Sequence, residues 1–264
     1  MSFFSAAGIT AGYDKTPVIE GISFDVEKGC LLGILGANGS GKTTLLKAIC
    51  GILPHEGKCR LEDTALESLK PRQLARLCSY IPQRSGISID ISALDVVLMG
   101  FNPQLGLLEH PSRRMREAAV AALAQVGLGG KEDINYMHLS EGQKQLCILA
   151  RTLVAGSKLL LLDEPESALD FRFRYRMLEL LRRWVADNNT GAIVTLHDPA
   201  LALNYCDRLL LLDQGQVLGI LSPASDSLEM MEAMLGKIYG PVSLQRCRTS
   251  GGLEQLVMLK EAER

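Results

Sequence analysis

No run in this chain approaches the roughly 18 apolar residues that a membrane-spanning helix needs. Residues 1–12 lack the basic start and apolar centre of a secretory signal. The expectation is a protein that is cytosolic or peripheral to a membrane. Charge of one sign is also missing: the formal net charge is −2, which supplies no global pull toward nucleic acid or an anionic lipid surface. No nucleic-acid partner is expected. The seven cysteines (Cys30, Cys50, Cys59, Cys78, Cys147, Cys206 and Cys247) include no C-x-x-C pair and no histidine at ligand spacing. They read as reduced thiols used in packing. Internal repeats, low-complexity tracts and long heptad segments are absent, and His55, His110 and His138 have no partner at readable spacing. A length of 264 residues suits one large α/β domain with a small insertion.

What is present centres on Gly36-Ala37-Asn38-Gly39-Ser40-Gly41-Lys42-Thr43. It follows a strand-like run, Leu31 to Leu35, and opens a segment with helical spacing that ends at Gly51. Strand, glycine-rich loop and helix form a phosphate-binding context. Glycines let successive backbone N–H groups converge on an anion, and the helix N-terminus adds partial positive charge beneath it. Asn38, Gly39, Ser40, Gly41, Lys42, Thr43 and Thr44 are therefore the candidate nucleotide contacts. Lys42 reaches the terminal phosphates, and the Thr43 hydroxyl a magnesium ion.

Residues 3–35 alternate apolar and polar with turn signals at Ala11-Gly12, Lys15-Thr16-Pro17 and Lys28-Gly29, which predicts several antiparallel strands. Another short sheet segment follows from Glu56 to Leu66, then a helix opened by Pro71 and a strand Ser79 to Ile81. From Arg84 to about Met137 the patterning turns helical, with clear segments Ala93 to Met99 and Arg116 to Val126, and reads as an inserted helical subdomain. A further helix follows Ser140, and the continuous leucines before Asp163 predict a buried strand. Helix and strand should then alternate to Leu221, including a helix from about Phe171 to Asp187 with a solvated arginine face. Beyond Pro223 a short helix, Leu228 to Leu235, and a final strand, Gln255 to Leu259, are expected.

Leu159 to Leu162 run into Asp163-Glu164, and carboxylates at the C-terminal end of a strand lie at the crevice where ligands bind in open α/β sheets. Asp163 can hold the shell of a magnesium ion, and Glu164 can orient or deprotonate a water. Upstream stands Leu139-Ser140-Glu141-Gly142-Gln143, and here the sequence resembles the ATP-binding cassette family, whose signature is Leu-Ser-Gly-Gly-Gln. Tyr13 sits where that family has an adenine-stacking aromatic, Gln83 at its Q-loop, Ser167-Ala168-Leu169-Asp170 at its D-loop and His197 at its switch histidine.

The resemblance implies an α/β ABC ATPase fold: a phosphate-loop core sheet, an antiparallel β subdomain and an inserted α-helical subdomain. Its implied division is core and β subdomain at 1–83 and 156–222, helical subdomain at 84–155 and C-terminal extension at 223–264. It implies ATP and Mg2+ as cofactors, catalysis by Glu164, His197 and Gln83, and metal contacts from Thr43, Gln83 and Asp163. Two copies would meet head to tail, with Ser140, Gly142, Gln143 and Asp170 of one completing the ATP site of the other. Departures are Ala37 for proline, Glu166 for threonine, Lys144-Gln145 where an arginine is usual, and Glu141 for glycine. The last places a carboxylate where the partner's phosphate should arrive, a repulsion unless the side chain turns outward.

Gly51-Ile52-Leu53-Pro54, Pro71 to Arg76, Tyr80 to Gln83, Val97 to Gly100 with Pro103, and Leu196 to Ala202 look like the ATPases of metal-chelate importers. Those serve iron-siderophore, haem and cobalamin uptake. The implied partners are integral membrane permease subunits, facing residues from about Gln83 to Pro103, and indirectly a substrate-binding protein. The implied place is the cytoplasmic face of the membrane. The alternatives are a soluble cassette ATPase of iron–sulfur assembly and a DNA-repair or ribosome-associated cassette protein.

Overall fold

The computed structural model describes residues 2–14, 16–83, 86–106, 108–167 and 169–261. In chain order the strands are β1 (Phe4–Tyr13), β2 (Thr16–Val26), β3 (Leu31–Leu35), β4 (His55–Leu61), β5 (Thr64–Ala65), β6 (Cys78–Ile81), β7 (Leu159–Asp163), β8 (Gly191–Thr195), β9 (Arg208–Asp213), β10 (Gln216–Leu221), β11 (Val242–Arg248) and β12 (Glu254–Lys260). The helices are α1 (Lys42–Ile49), α2 (Pro71–Leu77), α3 (Ala93–Leu98), α4 (Arg113–Gln125), α5 (Glu141–Ala155), α6 (Phe171–Asn188), α7 (Pro199–Tyr205) and α8 (Leu228–Tyr239).

A six-stranded sheet ordered β10-β9-β3-β8-β7-β6 carries the site, parallel throughout except for the β9–β10 hairpin. Its strands read as leucine runs because both faces are covered. Period-two alternation sends Leu160, Leu162, Val194 and Leu211 to one face, packed with α3 to α7, and Leu159, Leu161, Ile193 and Leu212 to the other, packed with β1, β2 and α1. A four-stranded antiparallel sheet, β2-β1-β4-β5, lies on that second face. This is the expected α/β class.

Several expectations need correction. Leu31 to Leu35 is not a third antiparallel strand; it pairs parallel with β8 and β9, because burial on both faces suits the central sheet. Ala11-Gly12 is no turn: it continues β1, with register irregularities on either side of Ala11, and the chain reverses after Tyr13. Helix and strand stop alternating at Asp213, where β10 returns antiparallel. Residues 242–248 form a strand that half-polar Val-Ser-Leu-Gln-Arg-Cys-Arg concealed. Ala168 of the expected D-loop, and Lys15 and Arg84 at the boundaries above, lie outside the described residues.

Candidate active site

Loop 36–41 leaves the end of β3 and enters α1 through Gly41, whose φ of 101° suits glycine and whose Cβ, if present, would fall 2.4 Å from Ile19. The loop bounds a cavity of about 340 Å3 lined by residues 38–44 with Val18, Gln83, Glu164 and His197. Lys42 is buried, and its ammonium donates to the Gly36 carbonyl at 2.9 Å and the Ala37 carbonyl at 3.2 Å. Burial lowers its pKa from the ordinary lysine value, opposed by the charges of Glu164, Asp163 and Glu166. Ser40 Oγ is buried with no hydrogen-bond partner among the described residues. A buried hydroxyl without a partner in a loop of backbone N–H groups is the chemistry of an anion site.

The acids come from the end of β7. Asp163 Oδ1 accepts from Thr43 Oγ1 and from Thr195 Oγ1, both at 3.0 Å, and its Oδ2 accepts from Tyr80 at 3.1 Å. Burial first, and then the Asp163 charge, hold the Tyr80 hydroxyl well above the ordinary tyrosine pKa. Glu164 sits at φ 47°, a left-handed backbone that costs on the order of 1–3 kcal/mol in a non-glycine residue. Its N–H donates to Thr195 Oγ1 at 2.8 Å, which fixes the turn. The carboxylate then faces three groups: His197 Nε2 at 2.6 Å, Gln83 Nε2, which donates at 2.8 Å, and Lys42 Nζ at 4.0 Å. With its NH2 directed at Glu164, Gln83 has its amide oxygen left for a cation. Thr43, Asp163 and Gln83 thus offer the hard oxygen set that Mg2+ takes.

Residues 19–167 match the ABC transporter family. The chain belongs to the ABC transporter family. Hemin import ATP-binding protein HmuV of Roseobacter denitrificans is 35% identical over 89% of this chain and 89% of its own length. An ABC transporter ATP-binding protein of Bacillus subtilis, YvrA, is 34% identical over 80% of this chain, which spans only 48% of that relative. A solved metal-chelate type ABC transporter in an inward-facing conformation superposes with a TM-score of 0.83 at 26% identity, covering 99% of both chains. This ABC protein has the ABC ATPase fold and is an ATPase.

Within one ABC chain the expected site residues divide into two sets. The phosphate loop, Gln83, Asp163, Glu164 and His197 converge. Ser140, Gly142 and Gln143 stand instead at the start of α5, and Asp170 at the start of α6, none lining the cavity. Ser140 Oγ accepts the Gln143 N–H while Gln143 Oε1 accepts the Ser140 N–H, a reciprocal cap. A Cβ added to Gly142 would fall 3.3 Å from the Phe173 ring. Tyr13 ends β1, half exposed and outside the cavity lining. Glu141 turns to Lys144 at 2.8 Å, so its charge is met on its own helix.

Sequence reasoning missed Tyr80 and Thr195, which hold Asp163, and Gln145, whose buried amide donates to the Gln83 carbonyl at 3.1 Å and ties α5 to the Q-loop. It noted Glu166 only as a departure. That side chain is buried, one oxygen accepting the His197 N–H at 2.9 Å and the other without a partner among the described residues. Burial raises its pKa above the ordinary glutamate value, opposed by the His197 N–H. Tyr80 and Gln145 fall in runs already quoted for family likeness, but the contacts that they and Thr195 make across the fold leave no local signal.

Proposed function

We propose that this chain is the ATP-hydrolysing subunit of an importer for a metal chelate of the haem, iron-siderophore or cobalamin type. The contact that carries the reading is Glu164 held between His197, Gln83 and Lys42 at the mouth of the phosphate loop. The hemin-import relative and the likeness to a metal-chelate transporter support the cargo class.

Lys42 and the N–H groups of residues 38–44 bind the phosphates, and Tyr13 stacks on the base. Mg2+, held by Thr43, Gln83 and the shell of Asp163, supplies charge neutralisation at the phosphates when bound. Glu164 orients the attacking water and takes its proton. His197, hydrogen-bonded to that carboxylate, stabilises charge developing at the terminal phosphate. Ser140, Gly142, Gln143 and Asp170 complete the site of a second copy, head to tail. Their place outside the cavity of their own chain supports that arrangement. ATP then bridges two copies, and hydrolysis removes the bridge.

The moving bodies are residues 1–83 with 156–222, and 84–155, with 223–264 appended. Gln145 on the Gln83 carbonyl is a direct link between the first two. Among the described residues no helix is long and apolar enough to cross a membrane. The import reading puts the chain peripherally at the cytoplasmic face, against permease subunits reached through residues 83–103 and, through them, a substrate-binding protein; the hemin-import relative supports it. The test is co-purification and phosphate release. Wild-type protein should release phosphate from Mg-ATP and retain an integral membrane partner, and Lys42→Ala should retain the partner without releasing phosphate. Recovery of the wild type with a soluble scaffold or ribosomes, and no membrane protein, would overturn the transport reading.

A further inference from the structure

Around the cavity at the C-terminal end of α1, whose N-terminal end bounds the nucleotide cavity, three ligand types with no part in the chemistry above converge. His55 opens β4, Cys59 lies four residues on, and Glu67 sits in the 3-10 turn Leu66–Ser68 that leads toward α2. Four residues of regular strand span about 13 Å, too far for two side chains to share an ion. Here Gly57 takes a φ of 94° inside β4, opposite a register shift whose extra residue lies in β1. A ring nitrogen of His55, Sγ of Cys59 and a carboxylate oxygen of Glu67 all lie within 4.8 Å of one another. His55 Nε2 stands 3.4 Å from Glu67 Oε1, which also accepts the Cys59 N–H.

The separation of the imidazole nitrogen from the carboxylate oxygen, 3.4 Å, is about the edge of a tetrahedron drawn around a cation with bonds near 2.0–2.1 Å. The ligand types are those that a borderline-soft divalent ion accepts together, and they disfavour magnesium or calcium. Charge balances as well: one thiolate and one carboxylate cancel a divalent cation, with the imidazole neutral, so the filled site suits its burial. Cys59 is fully buried and the His55 side chain is 10% exposed. A route inward exists, because His55 and Glu67 also line a cavity of about 470 Å3. That cavity leaves a fourth coordination position open, and Cys50 and Cys78 lie in its wall.

We infer that His55, Cys59 and Glu67 form a binding site for a zinc-class divalent metal ion, with three protein ligands and a fourth position facing the cavity. Binding replaces the Cys59 S–H bond with a sulfur–metal bond and releases the proton to solvent. The metal ties β4 to the turn before α2. Nothing in this inference depends on ATP hydrolysis or cargo, so its failure leaves the transport reading untouched.

The experiment uses full-length, nucleotide-free protein stripped with chelator, with zinc in equilibrium dialysis and cobalt as the spectroscopic probe. Wild type should take up one zinc per chain, release protons on binding, and give a cobalt spectrum with thiolate-to-metal charge transfer. His55→Ala and Cys59→Ser should each weaken binding at least about 10-fold, the lower end of the losses seen when metal-site partners are removed. Asp163→Asn and Cys247→Ser should still bind one equivalent. Cys59 is buried, so the partly exposed His55→Ala carries the test if Cys59→Ser fails to fold. Zinc should also raise the Tm of wild type but not of His55→Ala. Cobalt spectra without thiolate charge transfer, or zinc uptake by His55→Ala equal to wild type, would overturn the site.

Discussion

Replacing Glu164 with glutamine keeps the shape of the side chain and removes its charge and its basicity. Both contacts fall on Oε2, so an amide oxygen in that place can still accept from Gln83, now 2.8 Å away, and from a His197 Nε2–H, now 2.6 Å away. Folding should therefore change little. Turnover should fall steeply, because losing a general base costs about 10²- to 10⁴-fold, or about 2.7–5.4 kcal/mol at 1.36 kcal/mol per decade. Nucleotide binding should move the other way. The carboxylate stands 4.0 Å from the Lys42 ammonium, where Coulomb attraction is on the order of 4 kcal/mol before desolvation is counted. That attraction competes with phosphate for Lys42, so its loss tightens ATP binding. Phosphate release at saturating Mg-ATP, a fluorescent-nucleotide titration and urea unfolding read the three effects separately. Release within about threefold of wild type would refute the assignment of Glu164, because it would amount to less than a tenth of the least expected loss.

Glu141→Gly should leave ATP-driven association within about threefold, since an exposed ion pair such as Glu141–Lys144 contributes under about 1 kcal/mol and already screens the carboxylate; a tenfold tighter dimer would show that the carboxylate repels the partner's phosphate. Glu166→Ala should cost about 1–3 kcal/mol in urea unfolding by removing the acceptor of the His197 N–H. Glu166→Gln, which keeps an acceptor and removes a desolvated acid, should cost much less, and equal losses would contradict that contact. Burial pushes Cys30 and Cys50 up to about 11 and Cys59, Cys78 and Cys147 up to about 12, from an ordinary value of 9.0. The folded state holds these protons after the unfolded chain releases them, so the stability they contribute is complete below pH 9 and is lost as pH rises through about 11–12. Urea midpoints that stay flat across that window would contradict the buried-thiol reading.

The parts of the site that are contiguous in the chain were legible in it. Residues 36–43 and the leucine run into Asp163-Glu164 carry their chemistry in local spacing, and strand, loop and helix follow from it. What the sequence concealed is whatever arises when distant segments meet. The placement of β3 between β8 and β9 depends on parallel pairing across more than 150 residues, for which no local pattern exists. Thr195 and Tyr80 are ordinary strand residues until Asp163 is placed beside them. His55 had no readable partner because Glu67 reaches it only after β4, β5 and the start of a 3-10 turn bring the chain back. Gly12 read as a turn because glycine usually marks one, yet it extends β1 opposite Pro17.

The most direct test of the account is transport itself, measured with the protein assembled on the membrane subunits that co-purify with it, in vesicles loaded with Mg-ATP. Haem, an iron-siderophore and cobalamin would be offered separately with the matching binding protein. The account predicts ATP-dependent uptake of one chelate, faster phosphate release in its presence, and loss of both with Lys42→Ala. Phosphate release that ignores every chelate and binding protein, with no uptake by wild-type vesicles, would contradict it.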